Sequence, residues 1–325
     1  MQSMREHYCL LGGSGYIGRA FQRELQCRGH NYTSLTRTEV DYARFDRLLA
    51  MLRELRPSFL INCAGYTGKP NVDACETARA DALRANVVLV ETIANACEIA
   101  KLPWGHVSSG CIYAGAKIQT SQEPIRIEKD LMAPAVRAAW QADASLLRGF
   151  REEDSPNFSF RSPPCSFYSG TKALAEELLN DRDQIYLWRM RMPFDHEDNP
   201  RNYLSKLQSY ARLYDNVNSL SHRGDFARAC LTLWEQRAPF GIYNITNPGW
   251  VTTRQVVERI KKAFGLKRRF EYFKDDAEFY QVALAPRSNT LLDTTKLTSA
   301  GLAMRSVEEA LDDALQNWQS NTQLG

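Results

Sequence analysis

A short apolar run followed at once by spaced glycines is the sequence feature that most constrains the fold. Residues 7–11 predict a buried strand, and the string Gly12-Gly-Ser-Gly-Tyr-Ile-Gly18 leads directly into an amphipathic segment over residues 16–29. Glycines at such a junction permit a tight turn and let the N-terminus of the helix meet a pyrophosphate. The junction predicts a dinucleotide-binding unit at the start of the chain.

The first half of the chain continues this alternation. Strands are predicted over residues 31–36, 58–62, 104–109 and 184–192, and helices over residues 45–55, 78–101 and 168–180. This order is typical of an α/β fold with a doubly wound parallel sheet, the NAD(P)-binding Rossmann fold. We predict that residues 1–192 plus 224–248 form the dinucleotide-binding domain. Residues 193–223 plus 249–325 would form a smaller C-terminal substrate lobe over the carboxyl edge of the sheet, where ligands of such sheets bind.

One stretch, about residues 114–148, breaks the alternation. More than thirty residues separate Tyr113 from Gly149 and include a helix-like segment over residues 135–147, where compact folds usually connect elements in a few residues. We interpret the stretch as an insertion beside the active site. It is either a surface excursion or subunit contact, or a lid over the substrate.

Charge and cysteine content narrow the classes of partner. The chain has 41 basic and 38 acidic residues, a net charge of +3, which gives no electrostatic case for nucleic acid or a membrane. Its eight cysteines form no C-x-x-C pair and its five histidines show no metal-ligand spacing. No signal peptide or membrane-length apolar run is present. We expect a cytoplasmic protein with reduced thiols, a small-molecule substrate and no metal.

A tyrosine and a lysine four residues apart point to the chemistry. In the string Tyr168-Ser-Gly-Thr-Lys172 both side chains share one helix face, so the ammonium can favour the ionised phenol. This spacing is common by chance, but here it follows a dinucleotide junction and Ser109 at the end of a strand. The combination indicates alcohol–ketone chemistry with Tyr168 as the proton donor.

The end of the second predicted strand bears on the choice of dinucleotide. An acid there would favour NAD, but the chain has Thr36, Arg37 and Thr38. Arg37 can pair with a 2′-phosphate, so we expect NADP(H). Glu39 is near enough to keep NAD(H) open.

Eight short segments in order give the chain a family resemblance. It resembles the extended short-chain dehydrogenases/reductases, more narrowly the dTDP-4-dehydrorhamnose reductases and the bifunctional nucleotide-sugar 3,5-epimerase/4-reductases. The matching segments are residues 62–73, 110–113, 153–158, 166–172, 189–193, 199–202, 243–249 and 285–289. The departures are the insertion and the glycine within the Tyr168 motif.

The resemblance implies roles for individual residues. Ser109, Tyr168 and Lys172 would be the reductase triad, and Cys111 and Lys206 the base and acid of an epimerisation. The chemistry agrees, because a ketone at sugar C4 acidifies the protons on C3 and C5 and inversion needs a base and an acid on opposite faces. A thiolate beside cations is a suitable base, and Ser109 and Tyr168 would bond the enolate oxygen.

The resemblance also implies the binding residues. Those expected to contact the cofactor are Gly12, Ser14, Gly15, Tyr16, Ile17, Gly18, Arg37, Asp41, Asn62, Cys63, Ala64, Gly65, Ser108, Tyr168, Lys172, Arg191 and Pro193. Those expected to contact the substrate are Thr67, Ser109, Cys111, Asn157, Asn202, Lys206 and Arg287, the last as a diphosphate clamp.

The resemblance implies NADPH-dependent C4 reduction, with 3,5-epimerisation, of a nucleotide-linked 4-keto-6-deoxyhexose, giving an activated deoxysugar such as rhamnose. The chain would act alone or as a homodimer. A 4-reductase without epimerase activity, or a related deoxysugar-forming reductase, stays open. A non-catalytic dinucleotide-binding regulatory subunit is disfavoured by the intact triad. A dehydratase is disfavoured because Gly110 and Cys111 stand where that class has an Asp-Glu pair.

Overall fold

The computed structural model describes residues 6–119 and 124–320. The strands are β1 His7–Leu11, β2 Asn31–Leu35, β3 Phe59–Asn62, β4 Trp104–Ser109, β5 Ala116–Ile118, β6 Arg126–Glu128, β7 Leu147–Arg148, β8 Ile185–Met190, β9 Arg212–Leu213, β10 Val217–Asn218, β11 Gly241–Asn244, β12 Val251–Thr252 and β13 Glu271–Tyr272. The helices are α1 Tyr16–Cys27, α2 Phe45–Leu55, α3 Ala74–Thr77, α4 Arg79–Leu83, α5 Leu89–Ala100, α6 Pro134–Ala142, α7 Phe167–Leu179, α8 Tyr203–Ser209, α9 Arg223–Glu235, α10 Thr253–Phe264, α11 Asp276–Phe279, α12 Thr295–Ser299 and α13 Val307–Gln316.

A six-stranded parallel sheet forms the centre, in the order β2-β1-β3-β4-β8-β11. Its two faces bury separate apolar clusters, as the two-residue period of a strand requires. Along β1, Tyr8 and Leu10 join the cluster on the side of α1 and α9, whereas Cys9 and Leu11 join the one on the side of α2, α5 and α7. The predicted doubly wound parallel sheet is confirmed.

The helix predicted over residues 78–101 is interrupted. A π-helical turn, Arg84–Val88, joins α4 to α5. Such turns occur often at functional sites, and this one brings Asn86 against the loop that follows β3.

A third apolar cluster lies in the C-terminal part of the chain. It packs α8, α10 and α13 through residues that include Leu204, Val256 and Leu311. The division of the chain into two lobes at residues 193, 224 and 249 stays a prediction. None of the helices within residues 6–119 and 124–320 is long and apolar enough to span a membrane.

The insertion has its own structure. Strands β6, β5 and β7 form an antiparallel sheet, and α6 is shorter than the helix predicted over residues 135–147, because the Asp143 side chain caps a 3₁₀ turn that leads into β7. Trp140 packs edge-on against Trp250 at 5.2 Å, and the insertion core includes Val217 and Leu291. The insertion therefore packs on the C-terminal part of the chain; its residues 120–123 lie outside the described residues.

Candidate active site

The junction between β1 and α1 forms a cradle, a concave turn of backbone in which a side chain has no room. Gly12 has φ +73°, and a Cβ there would lie 2.6 Å from the Ala64 nitrogen, so an L side chain does not fit. Gly15, which is exposed, precedes α1 and supplies no side chain to cap its first N–H groups. The exposed N-terminus of α1 therefore suits a diphosphate.

The turn after β3 forms the opposite side of this cradle. Asn62 is fully buried; its Oδ1 accepts the Ala64 N–H at 2.9 Å, and its Nδ2 lies 3.0 Å from His106 Nδ1. Burial and the nearby Lys172 charge hold the pKa of His106 well below its usual value, so its ring is neutral and can accept from the amide. Asn62 thus shapes the Cys63–Gly65 turn.

The end of β2 presents an arginine rather than a carboxylate. Glu39 folds back on Thr36, accepting its N–H at 2.9 Å and its Oγ1–H at 2.7 Å, and these bonds lower the pKa of Glu39. Arg37 is exposed, and within the described residues no carboxylate lies within ion-pair distance of it. Asp41 is exposed nearby in the chain, its Oδ1 accepting the Ala43 N–H.

Other residues expected to bind the cofactor differ in accessibility. Ser14 is exposed, Ile17 and Pro193 are half-buried, and Tyr16 is buried with its ring 4.2 Å from the Arg223 guanidinium carbon. Ser108 is also buried, and its hydroxyl donates to Glu176 at 2.5 Å.

The three predicted reductase residues meet at the carboxyl end of β4. Ser109 ends that strand, and its hydroxyl acts to lower the pKa of the neighbouring Tyr168 phenol. One turn along α7, Lys172 is buried and donates to the Val107 carbonyl at 3.3 Å. Ser166 starts the helix by capping it through its side-chain oxygen. The start of α7 and the end of β4 thus place the phenol beside the serine.

Burial dominates the protonation of Tyr168. It raises the pKa of the phenol, while the Ser109 hydrogen bond and the Arg191 charge act to lower it. Among cations, Arg191 lowers the pKa of Tyr168 most strongly, whereas the sequence argument assigned that effect to Lys172. Burial also lowers the pKa of Lys172. The phenol is therefore protonated at neutral pH, as a proton donor requires.

Cys111 lies in the same polar cluster. Its N–H donates to Ser109 Oγ at 3.2 Å in the 3₁₀ turn that follows β4, and the side chains of Ser109 and Ser169 act to lower the pKa of its thiol. Burial raises the pKa of the thiol, although the charges of Arg191 and Lys172 oppose this. The cations expected beside the thiol are present, but burial outweighs them and the thiolate fraction rises with pH.

Arg191 is buried beside these groups, since its side chain packs against Gly110, which lies between Ser109 and Cys111. Its Nη2 donates to Asn218 Oδ1 and to the Ser288 carbonyl, each at 2.5 Å. Its Nε has no hydrogen-bond partner among the described residues, and burial lowers the pKa of the guanidinium to about 10. A polar group bound here would satisfy that donor.

Lys206 lies on α8, a short helix held in place by Asn202. The Asn202 side chain is fully buried, accepts the Leu204 N–H at 2.9 Å and donates to the Asp195 and Glu197 carbonyls at 2.7 Å. The structure therefore places Asn202 as a support for α8, whereas the sequence predicted a substrate contact.

The half-buried Lys206 ammonium releases its proton more readily than an ordinary lysine does. Burial, followed by the charge of Arg201, lowers its pKa. Arg201 in turn donates to Thr67 Oγ1 at 2.9 Å and to the Gly68 carbonyl at 2.6 Å. The link between α8 and the loop after β3 was not foreseen from the sequence.

Two further predicted substrate residues have partners within the chain. Arg287 binds Asp73 through both carboxylate oxygens, at 2.6 and 2.9 Å. Asn157 accepts the Ala114 N–H at 2.8 Å and donates to the Ala114 carbonyl at 3.0 Å. Asn157 thus fixes the segment that follows Cys111.

Sequence reasoning missed Asn86, which ties two parts of the site together. Its amide bonds the N–H and carbonyl of Tyr66, each at 2.8 Å, and the Thr171 hydroxyl at 3.2 Å. It therefore holds the loop after β3 against α7. A lone amide in the apolar stretch Ala-Asn-Val-Val-Leu-Val was the available signal.

The glycine within the Tyr168 motif has a packing reason. Glycine inside a helix costs about 1 kcal/mol relative to alanine. At Gly170, however, a Cβ would lie 2.2 Å from the Phe160 ring. This departure from the motif lets Phe160 cover the start of α7.

Comparison with known proteins agrees with this geometry. Residues 7–136 match the RmlD substrate binding domain. The chain is 31% identical to a bifunctional dTDP-4-dehydrorhamnose 3,5-epimerase/dTDP-4-dehydrorhamnose reductase of Arabidopsis thaliana, over 94% of this chain and 91% of that protein. The chain belongs to the dTDP-4-dehydrorhamnose reductase family. The resemblance inferred from the eight segments is confirmed.

Two solved structures share the fold. The L780 UDP-rhamnose synthase of Acanthamoeba polyphaga mimivirus has a TM-score of 0.80 and 22% identity, covering 96% of this chain and 99% of that one. A dTDP-4-dehydrorhamnose reductase of Bacillus anthracis, in complex with NADP, has a TM-score of 0.73 and 17% identity, covering 96% and 98%. Within residues 6–119 and 124–320, no group of three or more His, Cys, Asp or Glu side chains is placed to hold a metal ion.

Proposed function

We propose that the protein reduces C4 of a nucleotide-linked 4-keto-6-deoxyhexose with NADPH and inverts C3 and C5 beforehand, giving an activated deoxysugar such as rhamnose. One observation carries the proposal: Ser109 ends β4 next to both groups, since its Oγ accepts the Cys111 N–H at 3.2 Å and its hydroxyl acts to lower the pKa of the Tyr168 phenol. The proton donor for the C4 oxygen, Tyr168, and the base for the neighbouring carbons, Cys111, thus lie beside the same serine. The bifunctional name of the Arabidopsis relative supports the same pairing.

The described residues fit NADP(H). The cradle at Gly12, the uncapped N-terminus of α1 and the exposed Arg37 would hold its diphosphate and 2′-phosphate. When bound, NADPH supplies the hydride that reduces C4. Tyr168 protonates the C4 oxygen during this reduction, and Lys172 holds a positive charge near the site.

The epimerisation follows from the acid–base properties of the site. Ser109 and Tyr168 would donate to the C4 carbonyl oxygen and stabilise the enolate. The Cys111 thiolate would remove the proton next to the ketone. Lys206, whose pKa is lowered by burial, would return a proton from the opposite face.

The alternative is a 4-reductase that receives an already epimerised sugar. It is favoured by one observation, that burial raises the pKa of the Cys111 thiol and so disfavours its basic form. The deuterium-exchange experiment in the Discussion separates the two.

The test of the proposed function is incubation with NADPH and the UDP-, dTDP- and GDP-linked 4-keto-6-deoxyhexoses, with products identified by NMR. We expect NADPH consumption with at least one substrate and a product inverted at C3 and C5. Oxidation of NADPH with none of the three would contradict the proposal. The nucleotide preferred by the enzyme is read from the same experiment.

Selectivity for NADPH tests the role of Arg37. The protein should bind NADPH at least several-fold more tightly than NADH. Arg37→Ala should reduce this difference in affinity, because one charge-assisted contact contributes about 1.5–3 kcal/mol. Calorimetric titration with both cofactors measures this. Arg269→Ala, which removes an exposed arginine of the C-terminal part, is the control. Equal affinities in the unmutated protein would refute the assignment.

We also propose that residues 193–223 plus 249–325 bind the nucleotide sugar over the carboxyl edge of the sheet, where Lys206 and Arg287 lie. A homodimer stays a prediction, which light scattering at two protein concentrations would test.

A further inference from the structure

A cleft lies between the insertion and the C-terminal part of the chain. Its volume is about 360 Å³, within the range of small-molecule pockets. It reaches Ala114, three residues after Cys111, and Ser288 links the two regions by donating to the Tyr113 carbonyl at 2.6 Å. The lining residues that matter below are Lys129, Asp130, Tyr214, Asn216, Tyr280 and Arg287.

One wall belongs to the insertion. Lys129 and Asp130 directly follow β6. The Asp130 carboxylate accepts the N–H groups of Met132 and Ala133 at 3.1 and 3.0 Å, which fixes the turn that carries Lys129. The exposed Lys129 ammonium donates to the Asn157 carbonyl at 3.3 Å. In the parts of the chain that the structure describes, no carboxylate forms an ion pair with Lys129.

The other cation in the cleft is already neutralised. Both carboxylate oxygens of Asp73 bind the Arg287 guanidinium, and Arg287 also donates to the Ala285 carbonyl at 2.8 Å. Asp73 Oδ1 is held in turn by the Ala285 N–H at 2.9 Å. An anionic ligand in the cleft would therefore find Asp73 competing for Arg287, whereas Lys129 carries an unpaired charge.

The wall opposite the insertion is flat and aromatic. Tyr214 stacks on Phe279 with ring centroids 4.0 Å apart and planes within 4°, and Tyr280 packs edge-on against Tyr214. The Tyr214 hydroxyl donates to Asp276 at 2.8 Å, which fixes the ring. The Asn216 amide also lines the cleft; it donates to the Tyr214 hydroxyl at 3.3 Å and accepts the Val217 N–H at 2.9 Å, which holds it beside the rings. A rigid aromatic pair beside an amide suits a planar nucleobase.

We propose that the insertion makes this cleft a nucleoside diphosphate site in which Lys129 binds the diphosphate and the Tyr214–Tyr280 wall contacts the base. This inference rests on the proposed function, because it assigns the nucleotide end of that substrate. Lys129 belongs to the insertion and lines the cleft, so the proposed contact comes from the insertion itself. The insertion thereby acts as a substrate-binding wall.

Calorimetric titration with UDP and with dTDP, neither carrying a sugar, tests the proposal on the full chain. Lys129→Met should weaken binding of the better ligand by about tenfold or more, the effect of one charge-assisted contact. Lys129→Arg should restore most of the affinity. Arg126→Met is the matched control, since Arg126 is a charged, exposed residue of the same insertion that pairs with Glu128; it should change the affinity less than about twofold.

Unchanged affinity in Lys129→Met, or an equal loss in Arg126→Met, would overturn the proposal, since the second result would indicate only the general charge of the insertion. A protein that binds neither nucleotide would overturn it as well. Failure of the proposed function looks different: nucleotides would bind through Lys129, yet no 4-keto sugar would be reduced.

Discussion

Tyr168→Phe should lower the rate of reduction by a factor of about 10² to 10⁴, the usual effect of losing a general acid. The substitution removes the phenolic hydroxyl, whose pKa Ser109 acts to lower, and leaves the ring in place. Since burial holds this phenol protonated, the hydroxyl is the group ready to protonate the C4 oxygen. The fold should change little in stability, because the ring remains and only the hydroxyl group is lost.

Single-turnover oxidation of NADPH at 340 nm with the preferred 4-keto sugar measures this effect. Tyr32→Phe removes a hydroxyl on the edge strand β2, which contacts Gln26, and should leave the rate unchanged. Near-normal turnover in Tyr168→Phe would mean that another group supplies the proton. Thermal unfolding of both variants shows whether the fold is intact.

Cys111→Ser should abolish the entry of deuterium from D₂O into C3 and C5 of the 4-keto sugar while retaining NADPH binding. The serine hydroxyl is too weakly acidic to replace a thiolate. In the unmutated enzyme the exchange rate should rise with pH, because burial raises the pKa of the Cys111 thiol and the reactive form is the thiolate. NMR of the sugar protons follows the exchange directly.

Substrate that is already epimerised separates the two reactions. Cys111→Ser should still reduce it, because the proposed reduction step uses Ser109, Tyr168 and Lys172 and does not need the thiol. Cys27→Ser, which changes an exposed free cysteine, is the control and should exchange normally. If the unmutated protein reduces a 4-keto sugar with no exchange at C3 or C5, the epimerase reaction is wrong and Cys111 is a packing residue.

Lys206→Met extends the same experiment to the opposite face. It should impair inversion, because the returning proton is lost, while exchange at the Cys111 face continues. Normal inversion in this variant would remove Lys206 from the mechanism.

The sequence by itself determined the central sheet and the convergence of the reductase residues. Alternating strands and helices predicted parallel strands, and three elements (residues 7–11, 45–55 and 104–109) have the predicted bounds. The carboxyl ends of parallel strands meet at one edge, so Ser109 had to lie near the glycine junction. A four-residue spacing placed Tyr168 and Lys172 on one helix face. These results depend on the spacing of residues along the chain, which can be read from the sequence without the tertiary structure.

Only the tertiary structure decided the protonation of those groups, and which of the predicted binding residues already have partners within the chain. Arg287 pairs with Asp73, 214 residues away. The Asn202 side chain makes its hydrogen bonds to the backbone of Leu204, at the start of α8, and of Asp195. Burial, not Lys172, sets the protonation of Tyr168, and it outweighs the cations beside Cys111. The physical reason is that desolvation and ion pairing depend on groups brought together by packing, and no local pattern in the chain records which distant residues those are.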